Sequence, residues 1–147
     1  MFSQHDLQRF VDAQEPIYPR VLVELSRGRK QSHWMWFVFP QLAGLGFSAM
    51  AQRYAITSRD EAAAYLAHGI LGPRLVECTQ LVLAVENRTI HEILGSPDDL
   101  KFRSSMTLFA TVSADPIFER AIAKYFPDGS DPATLKLLAG FDGRGRG

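Results

Sequence analysis

The chain has 147 residues and a single cysteine, Cys78. An internal disulfide is therefore impossible, and a lone thiol fits a reducing compartment better than an export route. Unbroken apolar runs are short. The aromatic one, Trp34 to Phe39, is closed by Pro40 and falls far below the roughly 18 to 20 residues that span a bilayer, so no membrane span is expected. The start, Met1-Phe2-Ser3-Gln4-His5-Asp6, lacks the basic residues and apolar stretch of a signal peptide, which points to a cytoplasmic location. Charge of either sign is not in excess: Lys plus Arg and Asp plus Glu number 16 each. Without a net positive field, general nucleic-acid binding is not expected. Metal-ligand spacing is missing too. His5, His33, His68 and His91 are scattered, none pairs with another one helical turn away, and His91-Glu92 has no second histidine to complete a helical zinc site. Gly44-Leu45-Gly46 follows no strand signal and precedes no Lys-Ser or Lys-Thr pair, so neither a P-loop nor a dinucleotide fold is expected, and no cofactor.

What is present is 46% hydrophobic residues, enough for one compact domain that buries roughly 70% of its unfolded surface. Helix punctuation is the strongest local signal. Gly72-Pro73, Ser96-Pro97, Asp115-Pro116 and Asp131-Pro132 each place proline where its missing N–H had no intrahelical partner, so each marks a start. Asp98 and Asp99 then sit in a first turn that favours carboxylates. Leu75, Cys78, Thr79, Val82 and Val85 fall on one face of a helix from Pro73 to about Glu86, which is expected to be central. Phe102, Met106 and Phe109 stripe a helix from Pro97 to about Val112, and Ile117, Ala121 and Tyr125 stripe one from Pro116. Residues 7–14, 17–27, 48–54 and 58–68 also read as helices, the last opened by a Ser58 and Glu61 capping box. Arg27, Arg29 and Lys30 around Gly28 read as a helix end with its cap, with an anion contact as the alternative.

The run 32–39 could be a buried strand or a buried helix. Helix is favoured, since no second strand is evident and an isolated strand leaves its backbone groups unpaired. The expected fold is all-α, one domain over residues 1–139 with about seven to nine short helices, followed by a flexible Gly/Arg tail over 140–147.

Two segments combine polar groups with heavy apolar neighbours. In the first, Trp34 and Trp36 could wall a pocket in which His33 or Gln41 supplies direction, although such clusters are also ordinary core. In the second, Asp98, Lys101 and Ser105 share a helix face and Asp99 lies four residues before Arg103, as in an ion pair. Lys101 and Arg103 could hold a carboxylate or phosphate. Ser104 or Ser105 could serve as a nucleophile only if Lys101 were desolvated enough to act as base.

The strings Ser32-His33-Trp34-Met35-Trp36-Phe37-Val38-Phe39-Pro40-Gln41, Gly44-Leu45-Gly46 with Ser48, Glu61-Ala62 with Tyr65-Leu66 and His68, Leu71-Gly72-Pro73-Arg74-Leu75, and Asp99 through Phe109 together resemble the bacterial domain of unknown function 1810 family. The resemblance runs from about Leu7 to Leu138. It implies a small all-helical cytosolic domain and no established activity. Some members carry the label calpastatin, a disordered and repetitive protease inhibitor that this chain does not resemble. Where the family has proline after its histidine, this chain has Gly69.

Two readings of function follow. One is a pocket for a small anionic or aromatic ligand, walled by Trp34 and Trp36, with His33, Gln41, Lys101, Arg103, Ser104 and Ser105 as its polar groups. The other is a non-catalytic interaction or regulatory module whose polar helix face meets a partner protein or a second copy of the chain.

Overall fold

The structure is a computed structural model; it describes residues 5–146, with side chains described for 5–140. Ten helices follow one another among the described residues: α1 (Gln8–Gln14), α2 (Tyr18–Ser26), α3 (Met35–Val38), α4 (Ala49–Arg53), α5 (Arg59–Ala67), α6 (Leu71–Ala84), α7 (Ile90–Leu94), α8 (Asp98–Ala110), α9 (Ile117–Tyr125) and α10 (Pro132–Arg146). The fold is all-α as expected, and 32–39 contributes a helix. The nearest approach to a strand is one parallel bridge between Leu42 and Ile56.

The helix count exceeds the expected seven to nine because of α7. Its start was legible: Thr89 accepts a hydrogen bond from the Glu92 N–H, and the Glu92 carboxylate accepts one from the Thr89 N–H, a capping box. Starts elsewhere also shift. Pro132 is a first helical residue, but Pro97 and Pro116 sit one position earlier and Pro73 is the third residue of α6. Ser58 does cap α5, while the Glu61 carboxylate turns instead to the N–H and hydroxyl of Thr57. A flexible tail is expected over 140–147; α10 carries helical backbone to Arg146, and the side chains of 141–147 lie outside the described residues.

Two helices organise the interior. α6 buries Leu71, Leu75, Cys78, Thr79 and Val82 along one stripe and packs on α2, α5 and α9. α8 is buried almost continuously from Ser104 to Phe109 and packs on α5, α7, α9 and α10. Aromatic side chains tie the short elements to this pair. Tyr54, Phe10, Tyr65, Phe109 and Phe118 form one chain of ring contacts, with Tyr65 edge-on to Phe10 at 5.1 Å. A second runs Trp34, Phe39, Phe102, Phe126, and Phe39 meets Phe102 edge-on at 5.0 Å. That contact carries the end of α3 onto α8. Such pairs contribute about 0.5–1.5 kcal/mol beyond the area they bury.

The α5 to α6 turn depends on one glycine. A Cβ on Gly72 would stand 2.1 Å from the Leu66 carbonyl oxygen, a backbone atom that cannot swing away, whereas Gly69 has open space around it. Gly72→Ala is therefore expected to cost at least ~2 kcal/mol through displaced backbone. Gly69→Ala should stay within about 0.5 kcal/mol of the parent. Chemical denaturation of the two variants measures the contrast.

Candidate functional site

The segment between α2 and α3 is shaped by a buried carboxylate. Glu24 falls on the inner side of α2, close to the buried Val21 and Leu25. One oxygen, Oε1, accepts from the Gln31 N–H (2.8 Å), the Ser32 N–H (3.0 Å) and the Trp34 indole N–H (2.9 Å), and Oε2 accepts from the Ser32 hydroxyl (2.6 Å). Burial opposes the charge on Glu24, but these hydrogen bonds outweigh it and hold its pKa at about 2. Before this turn, α2 ends as expected: Gly28 adopts φ +71°, and the Arg29 N–H reaches back to the Glu24 carbonyl at 3.0 Å.

Lys30 extends the arrangement toward α8. Its Nζ donates to the Ser32 carbonyl at 2.6 Å, pairs with Asp98 Oδ2 at 2.8 Å and lies 5.0 Å over the Trp34 ring. Asp98 also stands 3.9 Å from Lys101, whose Nζ is 5.0 Å over the Trp36 ring. Opposite charges thus alternate from Glu24 through Lys30 and Asp98 to Lys101. The two segments singled out in the sequence do meet, at Trp36 against Lys101 and Phe39 against Phe102.

The eight predicted binding residues divide into two groups. Three are committed to the fold. Trp34 is fully buried with its indole on Glu24, so it is core and not a pocket wall. Arg103 does not pair with Asp99; its guanidinium holds the carbonyls of Gly129 (2.8 Å) and Ser130 (3.0 Å), and Asp99 faces His91 at 3.3 Å. Both carbonyls belong to the turn between α9 and α10, so Arg103 ties that turn to α8. Ser104 donates to the Leu100 carbonyl or to Asp131, both at 3.2 Å.

Five residues remain uncommitted. His33 is exposed, and neither it nor the half-buried Gln41 has a side-chain hydrogen bond among the described residues. Trp36 and Lys101 are half-buried. Trp36 Nε1 and Ser105 Oγ are covered, yet have no hydrogen-bond partner among the described residues. Among the described residues, Lys101 makes no hydrogen bond to Ser105, and the Ser104 hydroxyl is engaged by Leu100 and Asp131, so neither serine has the lysine contact that a Ser–Lys nucleophile uses. Glu24 and Lys30, the residues that organise this region, were missed as a unit in the sequence. The available signal was an acid on the apolar side of an amphipathic helix, followed within ten residues by hydroxyl and indole donors. Among the described residues no group of three or more His, Cys, Asp or Glu side chains could hold a metal, and no helix is long and apolar enough to cross a membrane.

The fold and this arrangement define a class before they define a function. A family model described as a protein of unknown function, DUF1810, matches residues 4–138, and the chain belongs to that family. It is similar to the conserved hypothetical protein Rv1873 from Mycobacterium tuberculosis, whose crystal structure has a TM-score of 0.91 at 57% sequence identity, covering 93% of this chain and 99% of that one. None of the curated proteins matches this chain.

Two tests of this arrangement follow. A group whose folded pKa is depressed stabilises the fold above its ordinary value and loses that contribution as pH falls through the folded value. For Glu24 the window runs from about 4.5 down to about 2. Glu24→Gln should lower stability at neutral pH by on the order of 3 kcal/mol and remove this part of the acid-induced loss, as read by denaturation across that window. Trp34→Ala should cost about 3–5 kcal/mol by leaving a core cavity, and Trp36→Ala clearly less, as measured by urea midpoints.

Proposed function

We propose that the domain binds a small anionic ligand at the corner where α3 meets α8, and that it acts there by recognition and not by catalysis. The carrying observation is an excess of donors. Trp36 Nε1 can only donate, Ser105 Oγ belongs to the residue one helical turn beyond Lys101, and neither buried atom has a partner among the described residues. Lys101 adds a cation beside them, held by Asp98 only at 3.9 Å because Lys30 has the closer claim on that carboxylate. A buried donor without an acceptor raises the energy of the free domain by about 1–3 kcal/mol, and a carboxylate or phosphate oxygen is the group that would recover it. Trp36 and Lys101 are both half-buried, so the corner borders solvent on their side. His33 and Gln41 are the uncommitted polar groups on the adjoining segment.

Binding is favoured over catalysis because the best-defined acid of the region, Glu24, has its pKa held at about 2. It stays ionised at neutral pH with its oxygens already engaged by donors, far from the poise that a general acid or base needs there. The buried, free Cys78 supports a reducing compartment such as the cytoplasm as the setting.

With two tryptophans in the chain, the indole N–H region of a proton–nitrogen NMR spectrum separates the corner from the core. During titration with nucleotides, sugar phosphates and carboxylic acids, the Trp36 signal should move for at least one ligand while the Trp34 signal, fixed on Glu24, stays. Lys101→Met should weaken that binding by roughly tenfold. Stationary Trp36 signals across the whole set would refute the proposal.

A further inference from the structure

A separate concavity lies beside α2, lined by none of the corner residues. Between α2 and residues 31–32 is a cavity of about 480 Å³, lined by Arg20, Val23, Glu24, Arg27, Gln31 and Ser32 among others. This falls within the range of about 300–1,000 Å³ common for small-molecule sites. Arg20, Val23 and Glu24 of α2 and Arg27, which caps its C-terminal end, recur at helical spacing, so they form one stripe with arginine at both ends.

The electrostatics of this stripe are not those of a neutralised ion pair. Glu24 lies between the two arginines, but its four described hydrogen bonds come from Gln31, Ser32 and Trp34. Among the described residues, neither guanidinium pairs with it. Arg20 reaches only the Ser32 hydroxyl oxygen, at a long 3.4 Å, and that hydroxyl has already given its proton to Glu24. Arg27 is exposed, and its guanidinium has no partner among the described residues. Two forked donor groups therefore border a cavity whose one carboxylate is already occupied, and the three charges sum to plus one. Gln31 lines the same space and carries a further amide donor. Val23, 46% exposed, supplies an apolar wall between the arginines.

We infer that this cavity is a binding site for a small organic phosphate, with Arg20 and Arg27 holding the phosphate oxygens and Val23 carrying the organic part. A phosphate monoester matches the donor set better than a carboxylate does. Its three terminal oxygens and nearly two negative charges can engage two planar guanidinium forks at once, whereas a carboxylate brings two oxygens and a single charge. The inference does not rest on the α3 to α8 corner, and Lys101 plays no part in it.

Isothermal titration of the full chain with phenyl phosphate, inorganic phosphate and benzoate tests the site. Saturable binding of phenyl phosphate is expected, weaker binding of inorganic phosphate, and weaker binding still of benzoate. Arg27→Gln and Arg20→Gln should each reduce phenyl phosphate affinity at least ~10-fold. Both side chains are exposed, so circular dichroism of the two variants should match the parent. Lys101→Met weakens the corner as a competing anion site, and in that background the two arginine substitutions should reduce phenyl phosphate affinity to the same degree, which separates this site from the corner. Absence of saturable phenyl phosphate binding would overturn the inference, as would binding unaffected by either arginine substitution. Benzoate binding as tightly as phenyl phosphate would overturn the assignment to phosphate.

Discussion

A carboxylate removed from water must be met by donors, and the Glu24 carboxylate meets its demand by folding the chain around itself. Its acceptors draw in the backbone of Gln31 and Ser32, the Ser32 hydroxyl and the Trp34 indole. The consequences extend beyond the turn. With its indole anchored, Trp34 becomes the first member of the aromatic chain that reaches Phe102 on α8. The same turn places Lys30 over the Trp34 ring and against Asp98 at the start of α8. Glu24 thus links α2 to α8 through the segment it holds, and both polar regions, the corner and the arginine-lined cavity, border that segment.

The helical class and most helix positions could be read from the sequence because they depend on local chemistry. The α6 stripe, the Gly28 end of α2 and the Ser58 cap all express short-range rules. Failures concentrated where distant partners compete. Arg103 looks like an i, i+4 partner of Asp99, yet two carbonyls on the α9 to α10 turn take it. Sequence spacing has no access to that turn. The one-position shifts at Pro97 and Pro116 are the ordinary latitude of a helix end, and α7 was missed because its apolar pattern is only five residues long.

The candidate site was legible in outline and not in detail. The two polar and aromatic segments do come together, which residue type alone suggested. Their division of labour was not visible: two tryptophans separated by one residue have opposite fates, since Trp34 finds a carboxylate and Trp36 finds a lysine. Which polar groups remain uncommitted follows only after every structural hydrogen bond is assigned. That accounting leaves donors in surplus at the corner and along α2, and a surplus of donors selects anions.

The central claim is that Glu24 remains ionised inside the fold and is held so by its donors. Carbon-detected NMR of the glutamate side-chain carboxyl groups, followed as a function of pH, reports the titration of Glu24 directly. The account predicts a midpoint near 2, well below the ordinary value for glutamate of about 4.3. A midpoint at or above that ordinary value would show that the carboxylate is not held as an ion by this turn, and the architecture described around it would be wrong.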